Sequence, residues 1–427
     1  MAYSVPTSLT TLAKLGKKVQ GNVLTGFQKK CPEWALARSL KPFNLVMSQR
    51  EVTTPIDIVR QPSGSFIPEG GYESLPRTEA PNELTFTWAN FNDRIGFTKT
   101  SEYLDKTQRE GELLRQAIYQ TNKLIEAMTR RVSFSFYGVS TGVMCLTSTN
   151  ATSASQTLTL IDGFAASWLD NAAYLASMFQ VDDYIAVIRS AALVTNGIGI
   201  ITAVTAATPS IAVTMSGSCD VDANDSIVLA NSSGHELITG TIAHTDYNKA
   251  PSGLFDFLYT ASVENLSNAT APLWYPSGYD SAGGALTGVR IMAADHAISN
   301  IGGGDANLLI LSQGVYRNLY QNAYAGVKYN DPLNMEIVGA VKTNGFKQFM
   351  SRFVPPTFAC LCEKETFINK WTMVEFPSED AKTLDGVNVN TDKQQDINAS
   401  VTSFDFPYNF VTTNRANSYS WSGLDES

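Results

Sequence analysis

The sequence predicts an α+β fold with an all-β segment set into it, and three observations predict it. Residues 108–135 carry one long helical period. Residues 51–100 and 401–421 carry apolar patches and alternation typical of strands. From about 147 to 258 the charges thin out, and Ser, Thr, Ala and Val dominate short strand-like runs separated by turns. The 427 residues then divide into an arm (1–50), an extended hairpin (51–100), the long helix and its surroundings (101–146), an inserted β-rich domain (147–258), an α/β unit (259–385) and returning strands (386–427).

The helix is the element to which the others attach. Thr107 and Glu110 form a capping box, each side chain reaching a backbone N–H that the first turn leaves unpaired. Leu114, Ile118, Thr121, Ile125, Met128 and Val132 follow at steps of four and three, which lays a mainly apolar stripe along one face. Glu110 and Glu112 at the start, with Arg130 and Arg131 near the end, complement the helix dipole, and Glu126 with Arg130 makes an i,i+4 pair. Gly138 supplies the stop.

Before the helix, the arm carries eight basic side chains, Lys14, Lys17, Lys18, Lys29 and Lys30 among them, against the single acid Glu33. The whole chain carries −9, so a basic arm precedes an acidic body. Such an arm fits a polyanion or an acidic neighbouring subunit. A weak helix is expected over 9–19, with Pro32 and Pro42 as breakers in the rest of the arm. The hairpin has one arm at 52–59, where Pro55 points to an edge or a strand start. Leu84, Phe86 and Trp88 alternate on the return arm, which resumes at Ile95 and Phe97. Its tip holds six prolines and glycines between Pro62 and Pro76, and also Glu69, Tyr72, Glu73, Arg77 and Glu79. An edge-rich ribbon of this kind needs a cover, and a second copy of the chain supplies one.

After the helix, 184–188, 198–204, 211–215 and 227–229 read as strands of a small barrel or sandwich. Val181 to Ile185 and Val221 to Ile227 look like two related acidic turns feeding strands. Residues 286–301 form a second amphipathic helix with Val289, Met292 and His296 on one face, stopped at Gly302-Gly303-Gly304. A buried strand at 308–311 leads to Ser312, which caps a third helix containing Val315, Leu319 and Tyr320. Further strands are expected at 337–341, 346–353, 358–362 and 371–376.

No catalytic, cofactor or metal site assembles from these residues. Gly138-Val139-Ser140-Thr141-Gly142 matches a nucleophile elbow in letters, but the elbow needs a strand before the serine and a helix after it. His235, His244 and His296 stand in no zinc spacing, and His296 reads as a hydrogen-bonded core histidine. Asp220, Asp222, Asn224 and Asp225 resemble the start of a calcium loop, but Asp225 stands where its glycine belongs and Asn231 where its Glu belongs. The five cysteines show no disulfide spacing, which points to a reducing compartment during assembly. No apolar run approaches the ~20 residues of a membrane span, and no signal peptide is visible.

The order of parts resembles the major capsid protein of tailed bacteriophages, the Hong Kong ninety-seven-like fold. The stretches that carry the resemblance are Pro68-Glu69-Gly70-Gly71, the alternating Leu84 to Trp88, Phe97 to Leu104 running into the helix, and the helix, glycine turn, strand and helix of 286–324. The resemblance implies a spine helix at 108–135, an axial domain at 259–385, strands at 401–421 returning to a peripheral domain, and an outward-facing insertion. The implied function is structural: hexamers and pentamers forming an icosahedral shell around double-stranded DNA, assembled in the host cytoplasm and kept in the virion. Implied partners are further copies, portal and scaffolding proteins, decoration proteins and DNA bound without sequence preference; no cofactor and no membrane enters. Glu69, Tyr72, Glu73, Arg77, Glu79, Phe86 and Trp88 become inter-subunit contacts, and the basic arm faces the lumen or a neighbour. No long charged helical region precedes the arm, so the expectation is that a scaffolding segment is cleaved off or, as the start at Met1 favours, that the scaffold is a separate protein. The tip has no lysine for the crosslink some relatives make. The rival readings are an encapsulin-like compartment and a serine hydrolase built on Ser140.

Overall fold

The computed structural model describes residues 31–38, 46–47, 51–56, 82–87, 89–98, 111–161, 172–230, 245–263, 266–267, 274–326, 346–364, 369–372, 388–393 and 399–426. In chain order they begin with α1 (Pro32–Arg38), β1 (Val46–Met47), β2 (Glu51–Ile56), β3 (Asn82–Thr87), β4 (Ala89–Thr98) and the long helix α2 (Gly111–Tyr137). Next come β5 (Val143–Thr147), β6 (Ala151–Ile161), α3 (Ala172–Ser177), β7 (Tyr184–Arg189), β8 (Ala192–Thr205), β9 (Ser210–Val221), β10 (Ser226–Leu229) and α4 (Leu254–Tyr259). Then come β11 (Ser262–Val263), β12 (Leu266–Ser267), β13 (Gly278–Asp280), α5 (Gly288–Ile301), β14 (Leu308–Leu311) and α6 (Gln313–Gly326). The last are β15 (Lys347–Met350), β16 (Ala359–Cys362), β17 (Asn369–Thr372), β18 (Asn388–Lys393), β19 (Ala399–Val411), a 3-10 turn (Arg415–Asn417) and β20 (Ser418–Trp421).

These elements sort into two units, each assembled from three stretches. The first takes Met1–Lys41, Trp88–Gly253 and Lys370–Phe410; the second takes Pro42–Thr87, Leu254–Asn369 and Val411–Ser427.

In the first unit, α2 buries Ile125, Met128 and Val132, as their spacing predicts. The capping box at Thr107 and Glu110 lies outside the described residues, as do the expected helix at 9–19 and strand at 337–341. One charge assignment on α2 is corrected. Its last turn holds no basic residue, because the helix runs on to Tyr137 and leaves Arg130 and Arg131 further back. Glu126 lies 3.4 Å from Lys123 and also raises the Arg130 pKa through its charge, as the expected i,i+4 pair requires. Pro32 does not break the chain; it opens α1, where a proline costs nothing because a first-turn N–H has no intrahelical partner.

Beyond α2, six strands close into an antiparallel barrel in the order β10-β5-β6-β9-β8-β7. β5 and β6 were not expected as separate strands. On β6 only Gln156, Leu158 and Leu160 face inward, alternating with exposed Ser155, Thr157 and Thr159, so its apolar signal is two residues long. The chain leaves for the barrel and comes back side by side: the Asn248 N–H donates to the Thr141 carbonyl at 2.9 Å. Gly142 sits at φ +72°, and any Cβ there would collide with the Asp246 carbonyl. A second sheet joins β17, β19 and β18, with β4 pairing β19 from Ala89↔Tyr408 to Thr98↔Ala399.

In the second unit, β2 and β3 form the expected hairpin, in register from Glu51↔Thr87 to Ile56↔Asn82. β1 pairs with Val52 and Thr53, so among the described residues Pro55 has one strand neighbour. The main sheet runs β13-β20-β16-β14-β15. Ile291, Ala294 and Ile298 of α5 and Val315 and Leu319 of α6 bury against Leu309, Leu311, Leu361 and Trp421. α5 therefore faces the core with the side opposite to the one expected. Val289 is 74% exposed and Met292 49% exposed, and His296 is exposed too rather than a core residue. The expected return of all of 386–427 to one domain is also corrected. β19 stays in the first unit, while β20 sits inside the second unit's sheet between β13 and β16, with Trp421 buried.

Candidate functional site: the long helix and its fastenings

The functional surfaces of such a chain are set by what positions its parts, and in the first unit that is α2. Its last two turns carry Ser133 and Tyr137, both buried, against α1. Glu33 of α1 is fully buried. Ser133 donates to its Oε2 at 2.9 Å, the Cys31 thiol lies 3.9 Å from the same oxygen, and the Tyr137 hydroxyl donates to Oε1 at 3.5 Å. Burial first, then the nearby carboxylate, pushes the Cys31 thiol up to about 12. The same two causes, in the same order, raise the Tyr137 and Tyr174 hydroxyls. All three groups thus stay protonated at neutral pH, and Cys31 has no thiolate with which to act as a nucleophile. The cluster is a socket that seats the base of the arm on α2.

One turn earlier, two consecutive arginines hold the barrel. Arg130 reaches Asp183, in the turn before β7, at 2.8 Å, and Arg131 reaches Asp246 at 3.3 Å. Burial lowers the Arg130 pKa, and Asp183 acts against that fall. With side chains only 13% and 29% exposed, this pair is shielded from solvent. The Lys123–Glu126 pair, at 61% and 56% exposure, belongs to the class of surface pairs that contribute about 0.5 kcal/mol or less.

The residues resembling a calcium loop hold a guanidinium instead. Arg189 donates from Nε and Nη2 to the two carboxylate oxygens of Asp225 at 2.9 and 2.8 Å. It lies 2.9 Å from Asp222 and 3.7 Å from Asp220. Its pKa is raised, first by the hydrogen bond to Asp225. The Gly138–Gly142 motif follows a helix and precedes strand β5, the reverse of an elbow's order, so Ser140 is not presented as a nucleophile.

In the second unit, Ser312 caps α6 as predicted, accepting from the Val315 N–H at 3.2 Å. Its hydroxyl donates to Glu426 at 2.7 Å. Arg415 is fully buried. It donates to the carbonyls of Phe257 at 2.6 Å and Thr260 at 2.7 Å, at the end of α4, and lies 5.1 Å from the Trp274 ring.

Comparison with protein-family profiles and with curated proteins finds no match to this sequence. Comparison with solved structures does. A chain of the cyanophage A-1(L) capsid asymmetric unit is similar over 92% of this chain and 92% of its own, with a TM-score of 0.53 at 9% identity. This chain shares the fold of that cyanophage capsid chain. An encapsulin of Synechococcus elongatus (TM-score 0.41, 9% identity, 93% of this chain and 89% of the other) and Mycobacterium phage Adephagia (0.39, 10%, 92% and 90%) are similar at a level too low to bear on that assignment.

In this capsid fold the residues expected at neighbouring copies divide. Glu69, Tyr72, Glu73, Arg77, Glu79 and Trp88 lie outside the described residues, as do Lys14, Lys17, Lys18, Lys29 and Lys30. Phe86 is described and fully buried in its own chain; it anchors the root of the hairpin instead of offering area to a neighbour. Sequence reasoning missed the Glu33 socket, Arg415 and the Arg130–Asp183 pair. Only the last left a signal, the repeated acidic turns.

Proposed function

We propose that this chain is the shell-forming subunit of a bacteriophage capsid, assembling as hexamers and pentamers into an icosahedral shell around double-stranded DNA. The observation that carries the reading is the capsid fold itself, shared over 92% of both chains with the cyanophage A-1(L) capsid. Heterologous contacts that close into rings are the geometry such an assembly requires. The hairpin at 51–100 lies across a neighbouring copy, with Glu69, Glu73, Arg77 and Glu79 of its tip setting register. The basic arm faces the lumen or a neighbour, and the barrel is an insertion facing outward. An acidic body tolerates packaged DNA because tight phosphate binding is not required of it. Portal and scaffolding proteins are the expected partners in assembly.

Negative-stain electron microscopy of the purified full chain, with and without its scaffold, tests the reading. Closed polyhedral shells, or rings of five and six, are expected. A chain that stays monomeric with the scaffold present overturns it.

A further inference from the structure

The barrel carries an internal symmetry that its pairing register makes explicit. β5, β6 and β7 match β8, β9 and β10. In the β7–β10 pair, Ile227↔Val187 maps onto Leu229↔Ile185, and Val228↔Ala186 maps onto itself. In the β6–β9 pair, Thr157↔Ala212 maps onto Thr159↔Ser210, and Leu158↔Ile211 maps onto itself. A twofold axis through the two self-matched pairs therefore relates the halves, and all four of those side chains are fully buried. Four contacts on the flanking pairs obey the same mapping, which is lost past the bulges, where Val228↔Val143 stands against Ala186↔Ile198. Ser226↔Leu146 and Ile227↔Cys145 match Tyr184↔Ile200 and Ile185↔Gly199. Leu146↔Ile161 and Thr147↔Leu160 match Ile200↔Thr214 and Ile201↔Val213.

The two acidic turns obey it as well. Asp182 stands at φ 73° and Asn224 at φ 71°. The next residue, Asp183 or Asp225, accepts from the N–H of Gln180 or Asp222, at 2.8 Å in both turns. Each turn exchanges two backbone bonds with the matching strand residue, Ile201 in one and Thr147 in the other. Each aspartate receives one arginine at 2.8 Å, but from different sources: Asp183 takes Arg130 of α2, and Asp225 takes Arg189 of the barrel itself.

We propose that the barrel is a tandem duplication of a three-stranded unit, and that its two equivalent aspartate turns have divided one task. Asp225 locks the barrel on Arg189, and Asp183 fastens the barrel to the long helix through Arg130. Asp183 is thus a positioning residue that fixes the barrel's bearing on α2, with Arg131 and Asp246 as the second fastening.

Hydrogen exchange on the purified full chain tests both halves of the proposal. Asp183→Asn should speed exchange about tenfold or more in the last turns of α2 and at 139–142 and 246–250, and leave the barrel strands protected, since a hydrogen bond to a charged group contributes about that factor. Asp225→Asn should speed exchange in β5, β7 and β10 and leave α2 unchanged. The same pattern from both variants, or no change from either, overturns the division of labour. In a third variant, Gln180-Val181-Asp182-Asp183 and Asp222-Ala223-Asn224-Asp225 are exchanged. If the turns are equivalent, the barrel strands keep their protection; loss of protection in both halves overturns the duplication.

Discussion

Arg415 shows how much a single buried side chain organises. Its guanidinium reaches main-chain carbonyls at the end of α4 and faces the Trp274 and Tyr275 rings. Burial lowers its pKa to about 10, still well above neutral, so it stays charged. Arg415→Met should destabilise the second unit by about 2–4 kcal/mol, because the carbonyls are left buried without a donor. Arg415→Lys should recover little, since a point charge cannot replace the planar fork. Chemical denaturation of the full chain, read at Trp274, measures both. Asp280 gives a pH signature. Its hydrogen bond with Arg290, at 2.6 Å, holds its carboxyl below the ordinary 3.8. A depressed folded-state pKa means this stabilisation is fully present above 3.8 and is lost as pH falls through the lower folded value. Asp280→Asn should flatten that acid limb in a pH series of thermal melts. Neither residue was legible in the sequence, because an isolated Arg or Asp announces no partner. Ser312 was legible, because a cap acts on its own helix. His296 was misread for a physical reason: α5 is apolar on both sides, so periodicity alone could not say whether Ile291 and Ile298 or Val289 and Met292 face the core.

The elements were legible where their apolar signal was long. α2, the β2–β3 hairpin, β14 and β16 stand close to where periodicity put them. β5 and β6 were lost because the outer face of β6 is Ser and Thr and its inner face is apolar at only Leu158 and Leu160. The sequence left barrel and sandwich open, since the choice depends on β7 and β10 meeting across a long stretch of chain. The hairpin supplies the test at this scale. Its root is secured by Leu84 and Phe86, both fully buried, so removing the tip should not unfold it. Deleting residues 61–81 should leave a folded subunit with native circular dichroism and no shells by electron microscopy. Full shells from that variant would remove the hairpin from the assembly reading.

At the scale of the whole molecule, the two units are not successive segments. The chain passes from one to the other five times, and the last passage delivers β20 into the interior of a sheet. Truncation after Phe410 should therefore strip β13 of its only described neighbour and uncover β16, leaving the second unit's sheet unprotected in hydrogen exchange while the barrel keeps its protection. The thinning of charge marks the stretch that holds most of the barrel strands, but no local pattern could show that the tail splits between units. The cysteines give the chain a further property. All five are free and buried: Cys31 at the arm's socket, Cys145 and Cys219 in the barrel, Cys360 and Cys362 in the second unit's sheet. A thiol so enclosed meets an alkylating reagent only when its surroundings open. Each part of the subunit thus carries its own chemical clock, and the order in which the five are labelled under mild denaturation would give the order in which socket, barrel and sheet come apart.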